Sequence, residues 1–160
     1  MNNNLTYRKA GVADIDEIIQ LRIEFLLCIH QVIDEAELVM IKNEMFSYLN
    51  VALASGQCVF YIAECDGELA GSGCYALRRR PGGVGNPKGI EAYVMSMYTK
   101  EAYRRMGIAT DILSLLEAEA KSNNIPVMEL HATEIGEKVY LKLGYSPSKI
   151  PGTGLKKKIL

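Results

Sequence analysis

The sequence predicts an α/β fold, one domain over residues 1–160 in which a mixed, mostly antiparallel sheet carries helices on both faces. Three observations carry that expectation. Apolar residues switch repeatedly between period-2 and helical spacing, with no linker or repeat along the chain. Asp66-Gly67 separates two strand-like runs, the signal of a tight antiparallel hairpin. A basic, glycine-containing turn, YRRMG (103–107), joins a strand-like run to a helical one, so the strands flanking that helix should lie parallel.

Each element follows in order. LTYRKA (5–10) reads as a strand. Asp14 and Glu17 form an acidic variant of the capping box for a helix from Ile15 to about Cys28. A second helix spans roughly 34–54 and closes at Gly56, the usual C-terminal glycine position. CVFYIAEC (58–65) and ELAGSGCYALR (68–78) are the hairpin strands, and RRPGGVGNPKG (79–89) is too rich in glycine and proline to be an element. IEAYVMSMYT (90–99) is a strand, followed by the basic turn and a helix to about Asn123. PVMELHA (126–132) is a strand and EIGEKVYLKLGY (134–145) a short helix ending at Gly144. A last strand pair is expected over 145–150 and 155–160.

Bulk properties restrict the function. The chain is 49% apolar and 23% charged, with a net charge of −1, so no global field draws it to nucleic acid or anionic lipid. The N-terminal residues lack the apolar core of a signal peptide, and no run approaches the ~18 apolar residues of a membrane span. A cytoplasmic location is expected. Cys28, Cys58, Cys65 and Cys74 form no C-x-x-C pair, and neither His30 nor His131 stands at zinc-ligand spacing from them. Buried free thiols and no metal are therefore expected. The RRR at 78–80 reads as a solvated strand end, because no aromatic stacking platform accompanies it.

The chemistry concentrates at 103–110. Ile108, Ile112, Leu115 and Leu116 set a helical rhythm immediately after Gly107. A glycine turn at a helix N-terminus exposes unpaired N–H groups at the positive end of the helix dipole, an anion site whose usual guest is phosphate. Gly107 lets backbone approach a pyrophosphate, and Ala109 keeps the first helical turn clear. The turn also lies at the carboxyl end of strand 90–99, where sheets of this kind bind ligands.

Arg104-x-x-Gly107-x-Ala109, placed after a strand and at the start of a helix, resembles the Arg/Gln-x-x-Gly-x-Gly/Ala signature of the GNAT N-acetyltransferase superfamily. VYLKLGY (139–145), one strand and one helix downstream, is similar to that family's lYeklGF segment. The resemblance covers essentially the whole chain. It implies the GNAT-type acyl-CoA N-acyltransferase fold with a central parallel splayed strand pair, and an enzyme moving acetyl from acetyl-CoA to a primary amine. It implies that the amides around Arg104, Arg105, Met106, Gly107, Ile108, Ala109 and Thr110 hold the coenzyme A pyrophosphate. Met97, Tyr98 and Thr99 on the preceding strand would meet the pantetheine arm and thioester carbonyl. Tyr140 matches the family's proton donor to the leaving thiolate.

The base is not marked in the same way. Some family members place a glutamate on the strand before the turn, where this chain has Tyr93. Glu91, two residues earlier and on the same strand face by parity, acts through a water, binds a cationic amine, or is a surface carboxylate. In the family the acceptor pocket is walled by the first two helices and the loop before the fourth strand, here Arg22, Glu24, Phe25 and 79–89. Aminoglycosides, polyamines, amino acids and protein N-termini or lysines all stay open as acceptors, as does a homodimer. A coenzyme A-binding regulatory or sensor domain is the alternative. It would keep the turn without needing Tyr140.

Overall fold

The computed structural model describes residues 4–30 and 32–147. Five strands form one sheet in the order β1-β2-β3-β4-β5. They are β1 (Leu5–Lys9), β2 (Cys58–Cys65), β3 (Glu68–Arg79), β4 (Ile90–Thr99) and β5 (Val127–Leu130). The first three pairings are antiparallel and β4–β5 is parallel, as the intervening helix requires. The helices are α1 (Ile15–His30), α2 (Glu35–Ala54), α3 (Ile108–Ser122) and α4 (Glu134–Lys142). None of them is long and apolar enough to cross a membrane.

Strand alternation splits the core into two layers. On one face Ile15, Ile18 and Leu21 of α1 and Leu49 and Ala52 of α2 pack over Cys58, Phe60, Ile62 and Cys74. On the other, α3 presents Ile108, Ile112, Leu113, Leu116 and Ala120 to Val59, Ala63, Tyr75, Ala92 and Val94. Ala92 and Val94 therefore face α3, while Met95 packs with the α1/α2 layer. That parity assigns the β4 side chains to their faces as far as Met95.

Several expected boundaries move. β5 is limited to four residues, and α4 stops at Lys142, with Leu143 as its cap and Gly144 in the left-handed region beyond it. The expected Asp14–Glu17 box does not form. The Asp14 carboxylate instead accepts the Gly11 N–H at 2.7 Å, capping a one-turn 3₁₀ helix (Val12–Asp14) that runs into α1. Both acidic side chains also bind Arg8 of β1, a partner that local spacing cannot reveal. Cys28 is exposed, against the expectation of buried thiols, while the other three cysteines are buried and all four are free. The expected strands over 145–150 and 155–160 lie largely outside the described residues.

Candidate functional site

Between β4 and α3 the backbone takes an unusual path. A single 3₁₀ turn, Glu101–Tyr103, is followed by Arg105 at φ +65° and Gly107 at φ +87°. Two left-handed residues this close together turn neighbouring N–H groups toward one side, making a concave anion nest. The hydrogen bonds from Tyr103 N–H to Lys100 and from Arg104 N–H to Glu101 precede it, and the bond from Asp111 N–H to Gly107 closes it. Between them the six amides from Arg105 to Thr110 have no protein partner among the described residues, and no side chain caps α3. Gly107 leaves open space where a side chain would stand, the nearest atom to its absent Cβ being Asp111 Oδ2 at 3.9 Å. Asp111 is drawn off by the Tyr7 hydroxyl, so its carboxylate is engaged with β1. Ile108 is buried in the α3 layer and Met106 packs against it, which leaves only their amides free for a ligand.

The preceding strand supplies an open edge. β5 pairs with β4 only from Glu91 to Val94, so, among the described residues, 95–99 have no strand partner on that side, and the Thr99 carbonyl there accepts only from Arg104 Nε at 3.4 Å. The pairing with β3 shifts between Cys74 and Ser72, and Ser96 there has φ +55°. This is a bulge with one extra residue on β4, and it reverses side-chain parity. Met97 consequently joins the α3 layer, while Tyr98 returns to the α1/α2 layer. Gly73, opposite the bulge, is required for the arrangement. A Cβ there would stand 2.3 Å from Met97 Sδ and 2.7 Å from Ile112 Cγ2. The Lys100 N–H donates to Ala70 in β3, and by antiparallel alternation Met97 and Thr99 direct their N–H and C=O groups to the open edge. Tyr98 does not. Its backbone faces β3 and its ring faces α1, where it lies 5.9 Å from the Phe25 ring.

Tyr140 sits on α4, half-buried in the layer that also holds Met97, Met106 and Leu130. Its ring meets Tyr145 edge-on at 5.9 Å. Burial raises the phenol above its ordinary value, and among the described residues no partner stabilises the phenolate. The group is therefore a protonated donor at neutral pH.

Glu91 is placed elsewhere. Its side chain is 4% exposed, on the α1/α2 face as parity required, but it is ion-paired with Arg80 at 2.8 Å and Arg78 at 4.0 Å. Oε2 nevertheless lacks a partner in hydrogen-bond geometry. Arg78 in turn lies 3.2 Å above the Tyr93 ring. The bulge residue Ser96 lies five positions beyond Glu91, roughly 16 Å along a strand. Glu91 is thus a clasp at the root of the 80–89 loop, which is further closed by Arg80 N–H to Gly89 and by Asn86 Nδ2 to Ile90. It lies beyond the direct or one-water reach of a base acting at the bulge.

The wall opposite the α3 layer was partly legible in the sequence. Arg22, Glu24 and Phe25 of α1 face β4, with the Arg22 guanidinium 5.2 Å over the Phe25 ring and Glu24 bound to Lys100 at 3.4 Å. Tyr98 approaches Cys28 at 3.9 Å, and burial, reinforced by that contact, pushes its phenol up to about 12. The Ser96 bulge had no sequence signal, because neither glycine nor asparagine marks it. Among the described residues no cluster of three or more His, Cys, Asp or Glu side chains could hold a metal ion.

Comparison with known proteins bears on this site. The acetyltransferase (GNAT) family profile matches residues 23–145. An N-alpha-acetyltransferase of Sulfurisphaera tokodaii is 29% identical over 157 residues, covering 95% of this chain and 77% of that protein. The crystal structure of a predicted acetyltransferase with acetyl-CoA from Clostridium acetobutylicum superposes with a TM-score of 0.82 at 30% identity, covering 95% of this chain and 96% of that one. A GCN5-related N-acetyltransferase from Ralstonia eutropha shares the fold, with a TM-score of 0.81 at 21% identity over 95% and 99% of the two chains.

Proposed function

The chain belongs to the acetyltransferase (GNAT) family, and we propose that it transfers the acetyl group of acetyl-CoA to a primary amine by direct attack in a ternary complex. The observation that carries this reading is the run of six unpartnered amides from Arg105 to Thr110, continuous with the open edge of β4. These residues fit the cosubstrate. A diphosphate accepts several N–H bonds at once, each worth about 1.5–3 kcal/mol when the acceptor is charged. An extended pantetheine arm can then pair with Met97 and Thr99 as an added strand would.

The thioester carbonyl would lie at the bulge, where the free Met97 N–H can stabilise oxygen as it gains negative charge. The amine nitrogen attacks the carbonyl carbon, the C–S bond breaks, the thiolate takes a proton from the Tyr140 hydroxyl, and the proton released by the nitrogen as the amide forms restores that hydroxyl. Glu91 is too distant and too firmly paired to receive the amine's proton. The amine therefore enters as its neutral form. An α-amino group, with a pKa near 8, is substantially neutral at pH 8, whereas an alkylamine near 10.4 is not.

Acetyl-CoA at about 100 times its Kd should raise the melting temperature by about 5–10 °C. Gly107→Glu sets bulk and negative charge against the phosphates and should abolish that shift. Gly107→Asn, which tolerates the left-handed conformation and adds bulk without charge, should fold and lose only part of it. A Gly107→Glu protein that folds and still shows the full shift would overturn the reading.

A further inference from the structure

We infer that Arg22 binds a carboxylate of the acceptor, so that the preferred substrates are amines bearing an acid group a few bonds from the reacting nitrogen. This rests on the acetyl-transfer reading above and names the substrate class for the same site. The charges around the α1 wall of β4 carry it. Glu24, which would favour a cationic amine, is already occupied by Lys100 at 3.4 Å and by the Gln20 amide at 3.1 Å. Glu91 is occupied by Arg80 and Arg78. Of the α1 charges that face β4, Arg22 is the one left without an opposite partner among the described residues. Among the described residues its guanidinium has no carboxylate oxygen within 4.0 Å and no hydrogen bond, as each ion pair there involves other groups. Of the chain's acidic side chains, only Glu134 lies outside that description.

Its location ties it to the chemistry. Cys74 Sγ lies 3.4 Å from the Met95 carbonyl oxygen, beside Ser96, and the Arg22 charge is felt at the same thiol. The guanidinium stands over Phe25, whose ring meets Tyr98 just past the bulge. An arginine in this setting is half-buried, and burial lowers its affinity for a proton. An unpaired desolvated cation is costly, and a ring face offsets only part of that cost. Five N–H donors in a planar fork match a carboxylate in bidentate fashion, which the wall itself does not supply. Two sources share this chemistry: a free amino acid, through its own carboxylate, and a peptide whose first residue is Asp or Glu.

The test measures kcat/KM, by thiol release from acetyl-CoA, for matched acceptors. One arm compares amino acids with their α-amides, and the other compares Asp- and Glu-first tripeptides with Asn- and Gln-first ones. In at least one arm the acid should be preferred by about 10- to 100-fold, and Arg22→Gln should remove that preference by lowering kcat/KM for the acid member far more than for its neutral partner. Arg22→Met, which keeps the packing of the aliphatic stem, should melt at or above the wild-type temperature, because no protein ion pair is lost. Equal use of acid and amide in both arms overturns the inference and leaves acetyl transfer standing. So does an equal loss for both members in the variant, or a lowered melting temperature in Arg22→Met. Failure of acetyl-CoA both to shift the melting temperature and to acylate any amine brings down both readings.

Discussion

Tyr140 and Glu91 were singled out together as catalytic candidates, yet their surroundings assign them different work. Tyr140 is half-buried, with a phenol raised by desolvation alone and no hydrogen-bond partner among the described residues to restrain its proton. Removing the hydroxyl in Tyr140→Phe keeps the ring against Tyr145 and deletes the donor. We expect kcat to fall by about 10²–10⁴-fold, the usual worth of general acid catalysis, with little change in the acetyl-CoA-induced melting shift. Wild-type turnover in a folded Phe variant would make Tyr140 a packing residue. Glu91 should behave in the opposite way. Glu91→Gln leaves two arginines without their shared carboxylate, and we expect a loss of about 1–3 kcal/mol in denaturant-derived stability. The pH profile of kcat/KM should be unchanged and should follow the pKa of the acceptor amine. A profile that instead loses its acidic limb in Glu91→Gln would restore the carboxylate as the base.

At the level of elements, the bulge in β4 decides what the site can hold. It turns Met97 into the α3 layer and Tyr98 toward α1, and the shift in pairing leaves an edge with unpaired backbone groups. Gly73 makes this possible, since any Cβ there collides with Met97 and Ile112. Gly73→Ala should cost about 1–3 kcal/mol through overpacking and should weaken acetyl-CoA binding, because relief requires Met97 or the head of α3 to move. Unaltered acetyl-CoA affinity in that variant would show that the bulge does not shape the pantetheine track. The same elements mark where sequence reading succeeds. The turn and α3 were legible because Gly107 and the Ile108–Ile112–Leu116 spacing are local signals. The bulge was not, because Ser96 is held left-handed by long-range pairing rather than by its own preference. The start of α1 was misread for a related reason. Its acidic residues answer to Arg8, which comes from a strand rather than from the helix itself.

Across the whole molecule, alternating apolar runs were enough to anticipate a sheet covered on both sides, since each strand's parity and each helix's stripe must be buried somewhere. Ion pairs between distant segments were not, because a charge in sequence carries no address. The Arg8 guanidinium is the clearest case. It reaches Glu64 on β2 at 2.7 Å, Asp14 in the 3₁₀ turn at 2.6 Å, and Glu17 on α1, and so ties the first strand to its neighbour and to the layer above. The Gly11 N–H holds the Asp14 carboxyl below the usual carboxylate range against the opposing effect of burial, and Arg8 adds to the lowering. Such a group stabilises the fold fully above its unfolded pKa, about 3.9, and that contribution disappears as pH falls through the lower folded value. Asp14→Asn should therefore lower stability at pH 7 by about 1 kcal/mol, a drop of roughly 2–4 °C in melting temperature. The gap from wild type should narrow progressively as melting is followed downward from pH 5, since the wild-type carboxylate then becomes protonated as well. A gap that stays constant from pH 7 to the acid limit would mean that the loss comes from the shape of the cap and not from its charge.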